Sequence, residues 1–141
     1  MEYSTFKLKG SENEQGEVTD LFGFVTVLNN WGVSLKELTI RHRRGNDPNE
    51  QEEMTYENIP VGGKTEPLRI KYETGIGSAN DYWWVKFVTI GNETFQCKDN
   101  FYCSISSDDD GEVLLTLEGD RIDMDVTFNE SIGCSVDLYN P

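Results

Sequence analysis

The sequence lacks any long hydrophobic run. No stretch approaches the ~20 consecutive apolar residues that a membrane span requires. Residues 1–10 alternate polar and apolar side chains instead of forming the continuous apolar core of a signal peptide. These absences predict a protein that is cytoplasmic or exported without a cleaved signal peptide.

Basic residues are also scarce. The 141 residues include 12 Lys and Arg against 26 Asp and Glu, which gives a formal net charge of −14. This balance repels phosphate backbones, so nucleic acid is excluded as an expected partner. The length suits one hydrophobic core and no linker divides the chain, so residues 1–141 are predicted to form a single domain.

Cysteine and histidine offer little material for a reactive site. The cysteines number three, an odd count in a domain large enough not to need bridges, so reduced thiols are expected; a Cys97–Cys103 bridge is the alternative. There is no Cys-x-x-Cys motif and no clustered Cys/His spacing, so neither a metal site nor a cofactor is expected.

The single histidine, His42, falls on the apolar face of its strand by alternation, which predicts a core imidazole. An enzyme would need His42 as a general base in an open cleft. No Gly-x-Ser-x-Gly motif supplies a nucleophile for it, so the chain is not predicted to be an enzyme.

Short strands account for most of the sequence, and no amphipathic helix of normal length is present. The segments with strand character are residues 3–8, 21–28, 35–43, 66–72, 82–90, 94–97, 101–106, 112–118, 121–128 and 132–139. About nine or ten strands at this spacing predict an all-β fold, an antiparallel β-sandwich, with a closed barrel as the alternative. In the last two segments the alternation places Ile122 and Ile132 inward.

Turn signals suggest how the strands connect. Asn29-Asn30-Trp31-Gly32 predicts a hairpin between residues 21–28 and 35–43, because Asn and Gly tolerate positive φ. Residues 44–57 are charged and are predicted to be mostly loop. Residues 106–112, SSDDDGE, predict a hairpin turn, with a calcium-binding loop as the alternative.

Residues 72–87 have the sequence YETGIGSANDYWWVKF. In this segment a glycine-rich loop precedes a predicted strand with two adjacent tryptophans. Trp83 alternates with Val85 and Phe87, so it is predicted to anchor the core. Trp84, beside Lys86, is the ring predicted to bind a ligand, because amphipathic aromatic side chains favour interfaces.

Two further aromatic residues and several basic ones extend the candidate binding surface. Trp31 at a turn tip and Tyr82 beside the tryptophan pair are candidates for exposed contacts. If the strands that carry the basic residues are neighbours, those residues form a basic patch beside Trp84. Such a patch suits an anionic headgroup, a sugar acid or an acidic protein. Its members would be Arg41, Arg43, Arg69, Lys71 and Lys86. Pairing of these residues with Glu66, Glu73 and the acids of residues 44–57 is the alternative.

Several short motifs follow one another in a characteristic order. They are Asn29-Asn30, His42-Arg43, Ile59-Pro60, Gly62-Gly63-Lys64-Thr65, Tyr72, Thr74-Gly75, Asp81-Tyr82-Trp83-Trp84-Val85 and Asn100-Phe101. This order resembles a small domain of fungal and nematode proteins that is named for up-regulation in insulin-receptor mutants. The resemblance covers roughly residues 24–106, and its most specific part is the glycine loop with the paired tryptophans. It implies a β-sandwich of unknown biochemical function with no catalytic residues to carry over.

A looser similarity, in size, acidity and all-β character, is to the aegerolysins, small lipid-recognising proteins. The sequence therefore predicts a non-enzymatic binding module for an unknown protein or small ligand, acting through an aromatic and basic surface. A lipid-binding or pore-forming protein of the aegerolysin or actinoporin type, acting on membrane lipid, is the alternative.

Overall fold

The structure is a computed structural model that describes residues 18–141; the strand predicted at residues 3–8 lies outside the described residues. The described residues form nine strands and no helix. The strands are β1 (Thr19–Asn30), β2 (Leu35–Arg44), β3 (Gln51–Ile59), β4 (Leu68–Thr74), β5 (Asp81–Thr89), β6 (Thr94–Gln96), β7 (Glu112–Glu118), β8 (Asp123–Thr127) and β9 (Cys134–Asp137).

Two sheets pack face to face and confirm the predicted sandwich. One has five strands in the order β4-β1-β7-β8-β9, and the other has four in the order β3-β2-β5-β6. Every pair of neighbouring strands among these nine is antiparallel except β1 with β7, which is parallel. The sandwich is therefore not purely antiparallel.

The alternating strand faces meet in one hydrophobic core. Trp83, Val85 and Phe87 of β5 are completely buried, which confirms Trp83 as a core anchor. The indole N–H of Trp83 donates a hydrogen bond to the carbonyl of Cys103 at 2.8 Å, so the buried ring leaves no polar atom unsatisfied. Because β5 lies between β2 and β6, its inner face is fixed from both sides.

The predicted hairpin at residues 29–32 is wrong. β1 belongs to the five-stranded sheet and β2 to the other, so this turn carries the chain across the sandwich. Both edges of β1 are already taken, by β4 and β7. Buried Asn29 fixes the crossing, because its side-chain amide donates hydrogen bonds to the carbonyls of Val33, Ile59 and Pro60 at 3.0, 3.0 and 3.1 Å.

The segment predicted to be mostly loop contains a strand. β3 pairs with β2 along its length and forms the edge of the four-stranded sheet. Most of its side chains are exposed, and among the described strands none pairs with its outer edge. An exposed edge strand needs no apolar alternation, which explains why residues 51–59 gave no strand signal.

Residues 101–106 follow the predicted alternation without forming a continuous strand. Phe101, Cys103 and Ile105 are buried as predicted, but the segment pairs with β5 as one isolated β-bridge, between Tyr82 and Tyr102, and not as a strand. The hairpin predicted at residues 106–112 is also wrong, because the chain crosses here to β7 in the other sheet.

The carboxylate of Asp109 holds this second crossing in place. It accepts hydrogen bonds from the backbone N–H groups of Ser106, Glu130 and Ser131 at 2.9, 2.8 and 2.9 Å, and from the Ser131 hydroxyl at 2.6 Å. Burial raises the pKa of Asp109, but these donors outweigh burial and lower it well below its usual range. Asp109 thus ties two loops together.

The cysteine prediction is wrong as well. Cys103 and Cys134 form a disulfide bond that links the segment beside β5 to β9, across a sequence separation of 31, while Cys97 is a buried free thiol. Neither reduced cysteines nor a Cys97–Cys103 bridge describes the fold. The two partners are brought together by the packing of the sheets, which spacing along the chain does not reveal.

The two isoleucines predicted inward near the C-terminal strands lie outside them. β8 begins one residue after Ile122, whose φ is 56°, and β9 begins two residues after Ile132. Ile132 is 94% exposed and Ile122 is also exposed. The apolar alternation therefore extended further in sequence than the strands do.

Candidate functional site

Five of the predicted binding residues share the outer face of the four-stranded sheet. Arg41 and Arg43 on β2 lie directly beside Trp84 and Tyr82 on β5, and Lys86 follows Trp84 along the same face. Alternation places these side chains outward because Leu38, Ile40 and His42 point into the core. We call the surface formed by Arg41, Arg43, Tyr82, Trp84 and Tyr102 the aromatic–arginine face.

Arg41 is the central residue of the aromatic–arginine face. Its guanidinium carbon lies 5.1 Å from the centroid of the Trp84 ring, and its Nη2 donates to Asp99 Oδ1 at 2.6 Å. The Arg41 side chain is only 10% exposed, and its Nε is buried without a hydrogen-bond partner among the described residues. The guanidinium therefore keeps one N–H group, at Nε, that donates no hydrogen bond within the described residues.

Asp99 is the one carboxylate among the described residues that lies within ion-pair distance of these two arginines. Its Oδ1 also lies 3.9 Å from Nη1 of Arg43, whose Nε donates to Gln51 at 2.7 Å. The hydrogen bond from Arg41 lowers the pKa of Asp99 below its usual value. The Asp99 side chain is nevertheless 63% exposed, so solvent reaches the ion pair.

Tyr102 and Asp99 belong to this surface but were missed in the sequence. The ring of Tyr102 lies 5.6 Å from that of Tyr82, and 56% of the residue is exposed. Alternation did contain a signal for Tyr102, since its neighbours Phe101 and Cys103 point inward. Nothing in the sequence marked Asp99, because its contact with Arg41 spans 58 positions.

Arg69 and Lys71 do not join the patch. Both lie on β4, in the other sheet, so the predicted neighbourhood of the basic strands is wrong. The guanidinium carbon of Arg69 lies 4.0 Å from the Phe22 ring centroid, and Lys71 Nζ lies 3.4 Å from Asp20. The strand order decides this outcome because β4 pairs with β1 and not with β2.

Trp31 is also separate from the aromatic–arginine face. Its ring is half-buried at the end of the sandwich, with its centroid 4.9 Å from that of Phe87 and 4.8 Å from that of Phe95. Part of the ring stays accessible, but it does not extend the aromatic–arginine face. The crossing between the sheets turns Trp31 over the core instead of away from it.

His42 is packed within a charged network. Its Nε2 lies 2.7 Å from Asp81 Oδ1 and its Nδ1 lies 2.8 Å from Glu52 Oε1, while Arg44 Nη1 donates to Glu52 Oε2 at 3.0 Å. Burial lowers the pKa of His42, but the hydrogen bonds with the two carboxylates outweigh it and the pKa is raised. Both ring nitrogens are occupied and the ring is completely buried, so His42 is not available as a general base in a cleft.

The described residues show no metal centre and no spanning helix. Within residues 18–141, no group of three or more His, Cys, Asp or Glu side chains is placed to hold a metal ion. In the same part of the chain, no helix has the length and apolar character needed to cross a bilayer. The SSDDDGE segment uses its central carboxylate, Asp109, for loop contacts.

No protein-family model matches this chain, and no curated protein matches it. The resemblance to the domain named for up-regulation in insulin-receptor mutants therefore stays a prediction.

Proposed function

We propose that the chain is a non-enzymatic protein-binding module. The aromatic–arginine face would be its contact surface, and the partner would supply a carboxylate to Arg41. The observation that carries this proposal is the position of the Arg41 guanidinium, which lies against Trp84 and contacts one exposed carboxylate. Its buried Nε has no hydrogen-bond partner within residues 18–141.

The residue types support a protein partner. Tyr, Trp and Arg are enriched in protein–protein interfaces and supply most of their binding energy, whereas small-molecule sites are concave. This surface is a sheet face, and no second layer of the described residues covers it. Its central row, Arg41 beside Trp84, has the composition typical of an interface hot spot.

Asp99 indicates the chemistry that Arg41 accepts. Its carboxylate reaches Arg41 through Nη2 alone, whereas an arginine binds a carboxylate most strongly when two N–H groups donate in parallel. A partner carboxylate that displaced the exposed Asp99 side chain and engaged both Nε and Nη2 would satisfy the unpartnered donor. Asp99 would then act as an internal competitor of the partner.

A random peptide library displayed on phage tests the proposal. Selection on the wild-type chain, with counter-selection on Trp84→Ala, should enrich peptides that carry Asp or Glu next to an aromatic or aliphatic residue. Enriched peptides are then measured by isothermal titration calorimetry. A consensus without acidic residues would contradict the proposal, as would a selection that enriches nothing.

Matched variants locate the binding surface. Arg41→Ala should weaken an enriched peptide at least tenfold, since hot-spot truncations cost about 2 kcal/mol or more. Arg69→Ala, an arginine stacked on an aromatic ring of the opposite sheet, should leave the affinity unchanged. Asp99→Asn should tighten binding. Equal losses for Arg41→Ala and Arg69→Ala would refute this location.

The disulfide bond supports a proposal about location. Bonds of this kind persist in oxidising environments and are rare in the reducing cytosol. We therefore propose that the chain acts outside the reducing cytosol. Protein alkylated during isolation from its source cells should present one free thiol, Cys97, and three free thiols would exclude this location.

A lipid-binding role is the second candidate, and one observation favours it. At the end of the sandwich where β1 ends, four separate connections each carry an exposed aliphatic side chain: Val33, Val61, Ile90 and Ile122. Apolar side chains at loop tips can enter the interfacial region of a bilayer. Co-sedimentation of the wild-type chain with phosphatidylcholine vesicles would support this role if Val61→Asp and Ile90→Asp abolish it. If the chain pellets with no vesicle of any composition, the lipid-binding role is excluded.

A further inference from the structure

A groove crosses the outer face of the five-stranded sheet, on the side of the sandwich away from the aromatic–arginine face. Its volume is about 470 Å³. Thr26, Leu114 and Thr127 are neighbours across β1, β7 and β8 and form its floor. Lys64 lies at its β1 side and Asn129 at its β8 side. We call this feature the threonine groove.

The wall beside β1 is held firmly. Thr65 donates its backbone N–H to the carbonyl of Val27 at 3.0 Å, and the Thr65 hydroxyl accepts the N–H of Val27 at 3.0 Å. A further bridge joins Lys64 to Leu28. Because backbone contacts fix this segment, a ligand would meet a preformed wall and would not have to order a loop.

Polar groups of both charges line the threonine groove. The ammonium of Lys64, the carboxylate of Glu112, the hydroxyls of Thr26 and Thr127 and the amide of Asn129 border it. Within residues 18–141 none of these side-chain groups makes a hydrogen bond or ion pair with another residue. They are therefore available as donors and acceptors to a molecule in the groove.

An apolar surface lies next to these polar groups. Phe24 is exposed, and it is the direct cross-strand neighbour of Glu112 and lies two residues before Thr26 on the same face of β1. The Leu114 side chain is half-buried between the two threonines. A ligand would thus meet an aromatic ring and an aliphatic floor together with hydrogen-bonding groups.

We propose that the threonine groove is a second binding site, for a small neutral polyhydroxyl ligand, a mono- or disaccharide. One ammonium and one carboxylate give the lining no net charge, which favours neither a small anion nor a small cation. Hydroxyl groups both donate and accept, so a sugar ring satisfies Lys64, Glu112 and Asn129 at once. The groove lies within the usual size of ligand pockets, about 300–1,000 Å³.

The test is an array of neutral mono- and disaccharides probed with the labelled full chain, followed by calorimetry with each sugar that binds. Leu114→Trp should fill the groove and reduce affinity at least tenfold. Val88→Trp, the same bulky substitution on the outer face of the opposite sheet, should leave it unchanged. Glu112→Gln keeps the shape, removes the charged acceptor and should also weaken binding about tenfold.

The outcomes separate this site from the proposed protein-binding face. Saccharide binding that is lost in Glu112→Gln and kept in Trp84→Ala supports the threonine groove. An array without a bound neutral saccharide overturns the proposal, as does saccharide binding that both groove variants retain. If Leu114→Trp fails to fold, as judged by its near-ultraviolet circular dichroism, Glu112→Gln decides alone.

Discussion

Reducing the Cys103–Cys134 bond should destabilise the protein substantially. The bond closes a loop with a sequence separation of 31. The chain-entropy relation for a loop of that length gives a stabilisation of about 3.7 kcal/mol at 25 °C. That is a large fraction of the roughly 5–15 kcal/mol by which domains are stable, so the midpoint of unfolding should fall by about 10 °C.

Urea denaturation with and without reductant measures this effect. The matched control is the Cys103→Ala, Cys134→Ala double variant, whose free energy of unfolding should not respond to reductant. The Trp83 hydrogen bond is kept in that variant because its acceptor is the backbone carbonyl of Cys103. Burial raises the pKa of Cys97 to about 11, so this third thiol should not exchange with the bond in the folded chain.

A reductant effect below about 1 kcal/mol on the wild-type chain would refute the reasoning, since it falls far short of the loop-entropy value. A peptide map under non-reducing conditions gives the second check. A bond from Cys97 to either of the other two cysteines would contradict the packing that brings Cys103 to β9.

Two further predictions concern charge. The chain has one histidine, so the ¹H NMR signal of the His42 ring reports its pKa directly, and this pKa should lie above 6.5 in the folded state. The folded chain binds that proton more tightly than the unfolded chain, so His42 contributes its full stabilisation below about pH 6.5 and loses it as the pH rises through the folded value. Urea midpoints measured from pH 6 to 9 should therefore fall, and a folded pKa at or below 6.5 would contradict the assigned network. Asp123 lies directly between Glu118 and Asp137 on neighbouring strands, and like charges placed opposite each other destabilise a sheet by up to about 1 kcal/mol. Asp137→Lys should therefore raise the free energy of unfolding by a similar amount at low salt and by less at 1 M salt, whereas an unchanged midpoint at low salt would rule out the repulsion.

The outer face of β5 shows how far strand alternation can be followed from sequence. Period-two alternation assigned Trp83 to the core and Trp84 to the outside, and both assignments agree with the burial of the two rings. The same rule placed Arg41 and Arg43 outside on β2. Alternation is a property of one strand, so it can be read without knowing which strands are neighbours.

The membership of the candidate site was less predictable. Arg69 has the same outward alternation as Arg41, yet it lies on the other sheet because β4 pairs with β1. Asp99 joined the site through a contact that no local pattern encodes. Which basic residues share a surface depends on strand order, and strand order is set by the packing of distant segments.

The predicted connections between strands were wrong for the same reason. Asn29-Asn30-Trp31-Gly32 has the composition of a tight turn, and the chain does turn there, but the turn leads into the opposite sheet. The acidic segment around Asp109 likewise ends in a crossing. A turn sequence specifies local backbone angles, whereas the pairing of the flanking strands depends on which edges remain free.

The sequence by itself determined the class of fold, the buried tryptophan and the inward or outward direction of most strand residues, because these follow from the two-residue period of an extended chain. Only the tertiary structure decided the disulfide partners, the parallel pairing of β1 with β7, and the contact of Arg41 with both Trp84 and Asp99. Each of these joins segments far apart in the chain, and it exists because two sheets, stacked to bury one core, bring those segments together.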